Sequence, residues 1–123
     1  MPSIQRTVRE FSHDSMPGIT LLPLDGTVRR GVPQRVLVQM APGAVIPLHV
    51  HDCDARMIIV AGQAKVISND NTNDEPVTVG DVVLFEKGAP HGFVAGANGM
   101  SFVTENGGIV DDRGGRFWDV GFC

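Results

Sequence analysis

Fifteen glycines and eight prolines cut this chain into short segments. Between the breaks lie runs rich in Val, Ile, Leu and Phe: Arg35–Met40, Ala44–His51, Met57–Ala61, Ala64–Ser68, Val77–Val79, Val82–Glu86, Gly92–Ala95 and Ser101–Thr104. Each has the length and residue types of a β-strand, and turn residues separate them. No stretch in the middle of the chain keeps a 3.6-residue apolar period through three turns, so a helical layer has nothing to build from. The expected architecture is an all-β sandwich or barrel. The polar segment Asn69–Glu75 reads as a hairpin loop, and a turn around Asp111–Gly115 precedes the closing run RFWDVGF.

A length of 123 residues suits one domain spanning 1–123, with no linker or repeat to divide it. Hydrophobic content of 42% and charged content of 20% argue against disorder and for a buried core. The net charge of −4 comes without a basic cluster, so neither nucleic acid nor an anionic membrane is an expected partner. No apolar run approaches the ~20 residues of a membrane span. The opening MPSIQRTVREF lacks the apolar core of a signal peptide. Cys53 and Cys123 form no disulfide framework, and a cytoplasmic protein is expected.

The chemistry-bearing residues are histidines. His49 and His51 lie at i and i+2 on one strand and therefore share a face, within reach of one divalent ion. A third ligand has to arrive from another strand, and His91 is the only later histidine; it follows the turn Lys87–Pro90 and opens a strand. His13, in a polar stretch, reads as solvated. If His49 and His51 point inward, then Ile46, Leu48 and Val50 point outward. That apolar face needs a cover, from N-terminal strands, a partner subunit or both, and a homodimer is expected.

The wider spacing strengthens the histidine pattern. Gly43, five residues, His49, one residue, His51 and ten residues to Gly62 resembles the first motif of the cupin superfamily. The stretch GDVVLFEKGAPHGFVA, with Gly80, Gly88 and His91 in register, resembles the second. The two motifs cover 43–95 within a core of about 35–105. The resemblance implies an antiparallel double-stranded β-helix, the cupin jelly-roll barrel, with His49, His51 and His91 as metal ligands. It also implies one divalent transition metal, Fe first, with Zn, Ni, Mn or Cu as alternatives.

The chain departs from the family pattern at the acidic ligand. That position falls on Ala55, or on Arg56 with the longer spacing; the Pro of the second motif is Glu86 and its Asn is Ala95. Asp54 or Cys53 could replace the missing carboxylate if the connection bends inward. Three imidazoles leave the +2 charge of an ion unreduced and at least one position open, an arrangement similar to that of the diketone-cleaving and thiol-oxidising dioxygenases of the superfamily. The resemblance thus implies an oxygenase acting on a small organic molecule. Its rivals are a metal-dependent isomerase, cyclase or lyase, and a non-catalytic binding module. Met40, Met57, Ile59, Phe85 and Phe93 are candidate pocket residues, and Glu86 and Arg56 are weak candidates for acid–base or anion-holding roles.

Overall fold

Two strands run much longer than the glycine breaks suggest. Met57–Ala61 and Ala64–Ser68 belong to one strand, β4 (Ala55–Ser68, 14 residues), and the last two apolar runs belong to another, β7 (His91–Asn106, 16 residues). Gly62 and Gly99, with φ of 72° and 75°, bend these strands instead of ending them. The β4–β7 register slips between Ile59 and Ala61 and between Gly62 and Ala64, so Gly62, paired with Met100, sits between two irregularities inside a strand rather than in the turn its type suggests.

The computed structural model describes residues 16–24, 34–51, 54–68, 75–106 and 120–122. At Pro23, Gln34, Val50, His51, Asn106 and 120–122 the backbone alone is described. The remaining strands are β1 (Ile19–Pro23), β2 (Gln34–Met40), β3 (Val45–His51), β5 (Glu75–Thr78), β6 (Val82–Phe85) and β8 (Val120–Phe122). All pairings are antiparallel. Residues 69–74, the turn at Asp111–Gly115, His13, Cys53 and Cys123 lie outside the described residues. Among the described residues no helix is long and apolar enough to cross a membrane.

Bent strands let one ladder serve two layers. The later half of β7 lies between β2 and the first half of β4, which in turn pairs with β6. With β1 on β2, this makes a first sheet in the order β1-β2-β7-β4-β6. The earlier half of β7 lies between β3 and the second half of β4, which pairs with β5; β8 closes on β3. The second sheet is therefore β8-β3-β7-β4-β5, and the two form the jelly-roll barrel expected from the sequence.

Side-chain alternation fills the space between the sheets. Ala55, Met57 and Ile59 from β4, Val36, Val38 and Met40 from β2, and Met100 and Phe102 from β7 are all at most 5% exposed. Burying a Phe or Ile side chain in this way contributes about 1.5–3 kcal/mol. The intervening residues Arg56 and Val60 of β4 and Arg35 and Gln39 of β2 face outward.

Strand β3 breaks the alternation. Val45 pairs with Val94 and Ile46 with Phe93, but the next pair is His49 with His91, one residue out of step. Pro47 has no N–H to give a ladder, and the extra residue at Pro47–Leu48 is a bulge. Consequently Ile46 (5% exposed) and His49 (5%) both point inward, while Val45 is 42% exposed. The outward stripe of Ile46, Leu48 and Val50 inferred from strict alternation is therefore corrected: Ile46 is a core residue and Leu48 is half-buried.

Candidate metal centre

The bulge in β3 and the opening residue of β7 bring two histidines face to face. His49 and His91 are direct partners across the ladder, with ring centroids 4.4 Å apart and planes inclined by 57°. Both are buried, His91 to 1% exposure.

Each ring is held by a carbonyl two residues upstream. His49 Nδ1 donates to the Pro47 carbonyl at 2.7 Å, and His91 Nδ1 donates to the Ala89 carbonyl at 2.9 Å. A carbonyl oxygen can only accept, so Nδ1 carries a proton in both rings, and in the neutral imidazole Nε2 is then the nitrogen with the lone pair. Fixing the tautomer through the far nitrogen is the usual support for a metal-ligating imidazole. A pair of buried imidazoles with basic Nε2 atoms is a donor set that fits a divalent transition ion.

The first sheet supplies the opposite wall. Phe85 of β6 stacks on His91 with centroids 3.7 Å apart and planes within 8° of parallel. Phe93 meets Phe85 edge-on at 6.1 Å, and Phe93 lies 5.3 Å from Phe102. Ala55 is 3% exposed, points inward and pairs with Phe85 across β4 and β6. The position where the motif calls for a carboxylate therefore lies beside the ring that covers His91.

The other expected residues fall as follows. His51 continues β3 opposite Val120, but its side chain lies outside the described residues, as does Cys53. Among the described residues no three His, Cys, Asp or Glu side chains converge. Asp54 is exposed, and its Oδ1 accepts the Lys87 backbone N–H at 2.8 Å, tying the β3–β4 connection to the β6–β7 turn. Arg56 is on the outer face, 3.6 Å from Glu105. Glu86 is exposed in the turn, where its carbonyl accepts from Ala89 N–H. Of the pocket candidates, Phe85 touches a histidine and Phe93 supports Phe85, while Met40, Met57 and Ile59 are part of the core cluster. Phe102 is an inner-face aromatic that the sequence reading did not single out; its alternation with Thr104 and Met100 was the available signal.

Ala55 offers a direct test of which way the motif position faces. Ala55→Glu should place a carboxylate among buried groups, at a cost of roughly 2 kcal/mol to the metal-free protein. Added manganese should recover that loss, because carboxylates favour hard ions. Thermal melts of the variant with and without manganese check this; identical melts would place the new carboxylate away from the ion.

Comparisons with known proteins agree with this fold. The polyketide cyclase RemF from Streptomyces resistomycificus superposes with a TM-score of 0.66 at 19% identity, over 86% of this chain and 78% of that one. KdgF from Halomonas sp. gives 0.64 at 22% identity, over 76% and 83%. A single-substitution variant of oxalate decarboxylase from Bacillus subtilis gives 0.60 at 20% identity, over 86% of this chain but 30% of that longer one. No curated protein matches the sequence. The family model for the cupin domain matches residues 36–104, which include His49, His51 and His91. The chain belongs to the cupin domain family.

Proposed function

We propose that the protein is a metal-dependent oxygenase acting on a small organic molecule, with one divalent ion held by His49 Nε2, His91 Nε2 and His51. The observation that carries this reading is the pair of Nδ1–carbonyl hydrogen bonds, which leave two buried imidazoles with basic Nε2 atoms on facing strands. When bound, the ion supplies Lewis-acid activation and, as iron, one-electron chemistry. The chain's own residues do the rest. The Pro47 and Ala89 carbonyls hold the Nδ1 protons and orient the rings. Phe85 excludes water from one face of His91 and gives an organic substrate an apolar wall. Ala55 contributes no charge, so the histidines leave the ion's charge unreduced.

A second reading, cyclisation or isomerisation without dioxygen, draws on the resemblance in fold to RemF, a polyketide cyclase. Purified protein should contain about one transition-metal ion per chain. With iron loaded anaerobically, an oxygen electrode should then record uptake dependent on a β-diketone, a thiol or a phenol. A flat trace with metal bound would transfer the assignment to the cyclase class, and absence of metal binding would end both.

A further inference from the structure

One carboxylate bridges the two segments that carry the motif histidines. Asp54 follows His51 on the β3–β4 connection, and Lys87 lies in the turn that leads from β6 into His91. Asp54 Oδ1 accepts the Lys87 backbone N–H at 2.8 Å, across 33 residues of sequence. Ala55 is 3% exposed and faces inward, whereas Asp54 is exposed. The acid beside the motif's carboxylate position therefore serves a backbone donor. A carboxylate accepting such an N–H makes a stronger bond than a neutral acceptor does.

That bond meets the middle of a short closed segment. Phe85, at its start, stacks on the ring of His91, at its end, with centroids 3.7 Å apart. Between them the Ala89 N–H donates to the Glu86 carbonyl at 3.0 Å and closes a turn over Lys87 and Gly88. Gly88 has φ of 79°, the positive value that the third residue of a type II turn requires. The carbonyl of Ala89, the last residue of this turn, takes the Nδ1 hydrogen of His91 at 2.9 Å. A closed turn reorients as a unit, so a hold on the Lys87 amide is also a hold on the direction of the Ala89 carbonyl.

We propose that Asp54 is a positioning residue for His91: its carboxylate fixes the turn whose Ala89 carbonyl assigns the ring's hydrogen to Nδ1. His49 takes its acceptor from Pro47 within β3, so the tie acts on one ring of the pair. Without it the Ala89 carbonyl turns away and the neutral imidazole adopts either tautomer. In the Nε2–H form, the nitrogen assigned to the ion carries a hydrogen instead of a lone pair. The reading of His91 as a ligand enters only this last consequence; the tautomer is a property of the metal-free chain.

Long-range proton–nitrogen NMR of the isotope-labelled, metal-free protein tests this at about pH 8, where an ordinary imidazole is neutral. Both His49 and His91 should be Nδ1–H in the wild type. In Asp54→Ala, His91 should populate the Nε2–H form, His49 should be unchanged, and the Lys87 amide should exchange faster with solvent. Asp54→Asn should restore the wild-type pattern, because its side-chain carbonyl can accept the same N–H. Chelator competition with zinc should show about 10-fold weaker binding in Asp54→Ala alone, the low end for loss of a group that supports a ligand. Circular dichroism confirms that each variant is folded. A His91 that stays wholly Nδ1–H in Asp54→Ala, equal changes in both histidines, or no rescue by Asp54→Asn would each overturn the proposal. Equal zinc affinity in three proteins that all bind zinc would overturn it too, while leaving the metal centre in place. The tautomer shift without zinc binding in any of the three would uphold the role of Asp54 and end the metal reading.

Discussion

Replacing His91 with alanine is expected to remove metal binding while leaving a folded barrel. Loss of a group that merely supports a ligand costs about 10–100-fold in metal affinity, and loss of the ligand itself should cost more. Melting curves show the same effect without any activity assay. An ion at about one hundred times its dissociation constant stabilises a protein by about 2.7 kcal/mol, which for a chain of this size raises Tm by roughly 10 °C. The wild type should show that rise with ferrous, nickel or zinc ion, and His49→Ala and His91→Ala should not. Chelator competition gives the affinities directly. Equal metal-induced shifts in all three proteins would remove both histidines from the site.

Gly62→Ala is expected to be the most destabilising single substitution that leaves the core side chains untouched. Gly62 has φ of 72°, a region that costs an L side chain about 1–2 kcal/mol. A Cβ there would stand 2.1 Å from the Gly99 carbonyl oxygen, a backbone atom of the neighbouring strand. Moving that strand adds about 1–3 kcal/mol. Together these lower Tm by roughly 10–20 °C. Gly43→Ala is the control: φ is 73°, but nothing lies within 4 Å of the added carbon. It should cost about 1 kcal/mol. Denaturant melts of the two variants separate the shared φ term from the clash, and similar losses would mean that the bend at Gly62 yields easily.

Residue type and spacing carried much of this molecule, because strand runs and motif histidines are local features. The pairing of His49 with His91 follows from two motifs that a reader of sequence can align. Other features depend on what a strand meets across the barrel. Gly62 and Gly99 look like strand ends, yet they are bends, since Gly62 faces the Gly99 carbonyl across β4 and β7 and Gly99 faces the Met40 carbonyl at the end of β2. Strict alternation sent Ile46 outward, and the bulge at Pro47–Leu48 brings it in; the proline inside an apolar run was the legible hint. Arg56 looked available to a substrate until its parity with buried Ala55 and Met57 placed it on the outer face. Phe85 gave no sign of stacking on His91, because β6 and the start of β7 meet only after the chain has crossed from one sheet to the other.

The bulge in β3 also separates two instructions that are usually written together. Which side of a strand a ligand occupies is a matter of counting residues, odd or even. Which nitrogen of its ring carries the hydrogen is set by a carbonyl within the same tripeptide, Pro47 for His49. Removing Leu48 would return β3 to plain pleating with His49 still opposite His91, but Pro47 would become its immediate neighbour and the carbonyl would no longer stand two residues back. The histidine would keep its place opposite His91 and lose the Pro47 acceptor that holds its Nδ1 hydrogen. In this barrel, location and tautomer are therefore separately heritable, and a lineage could alter the basicity of the site without moving a single ligand.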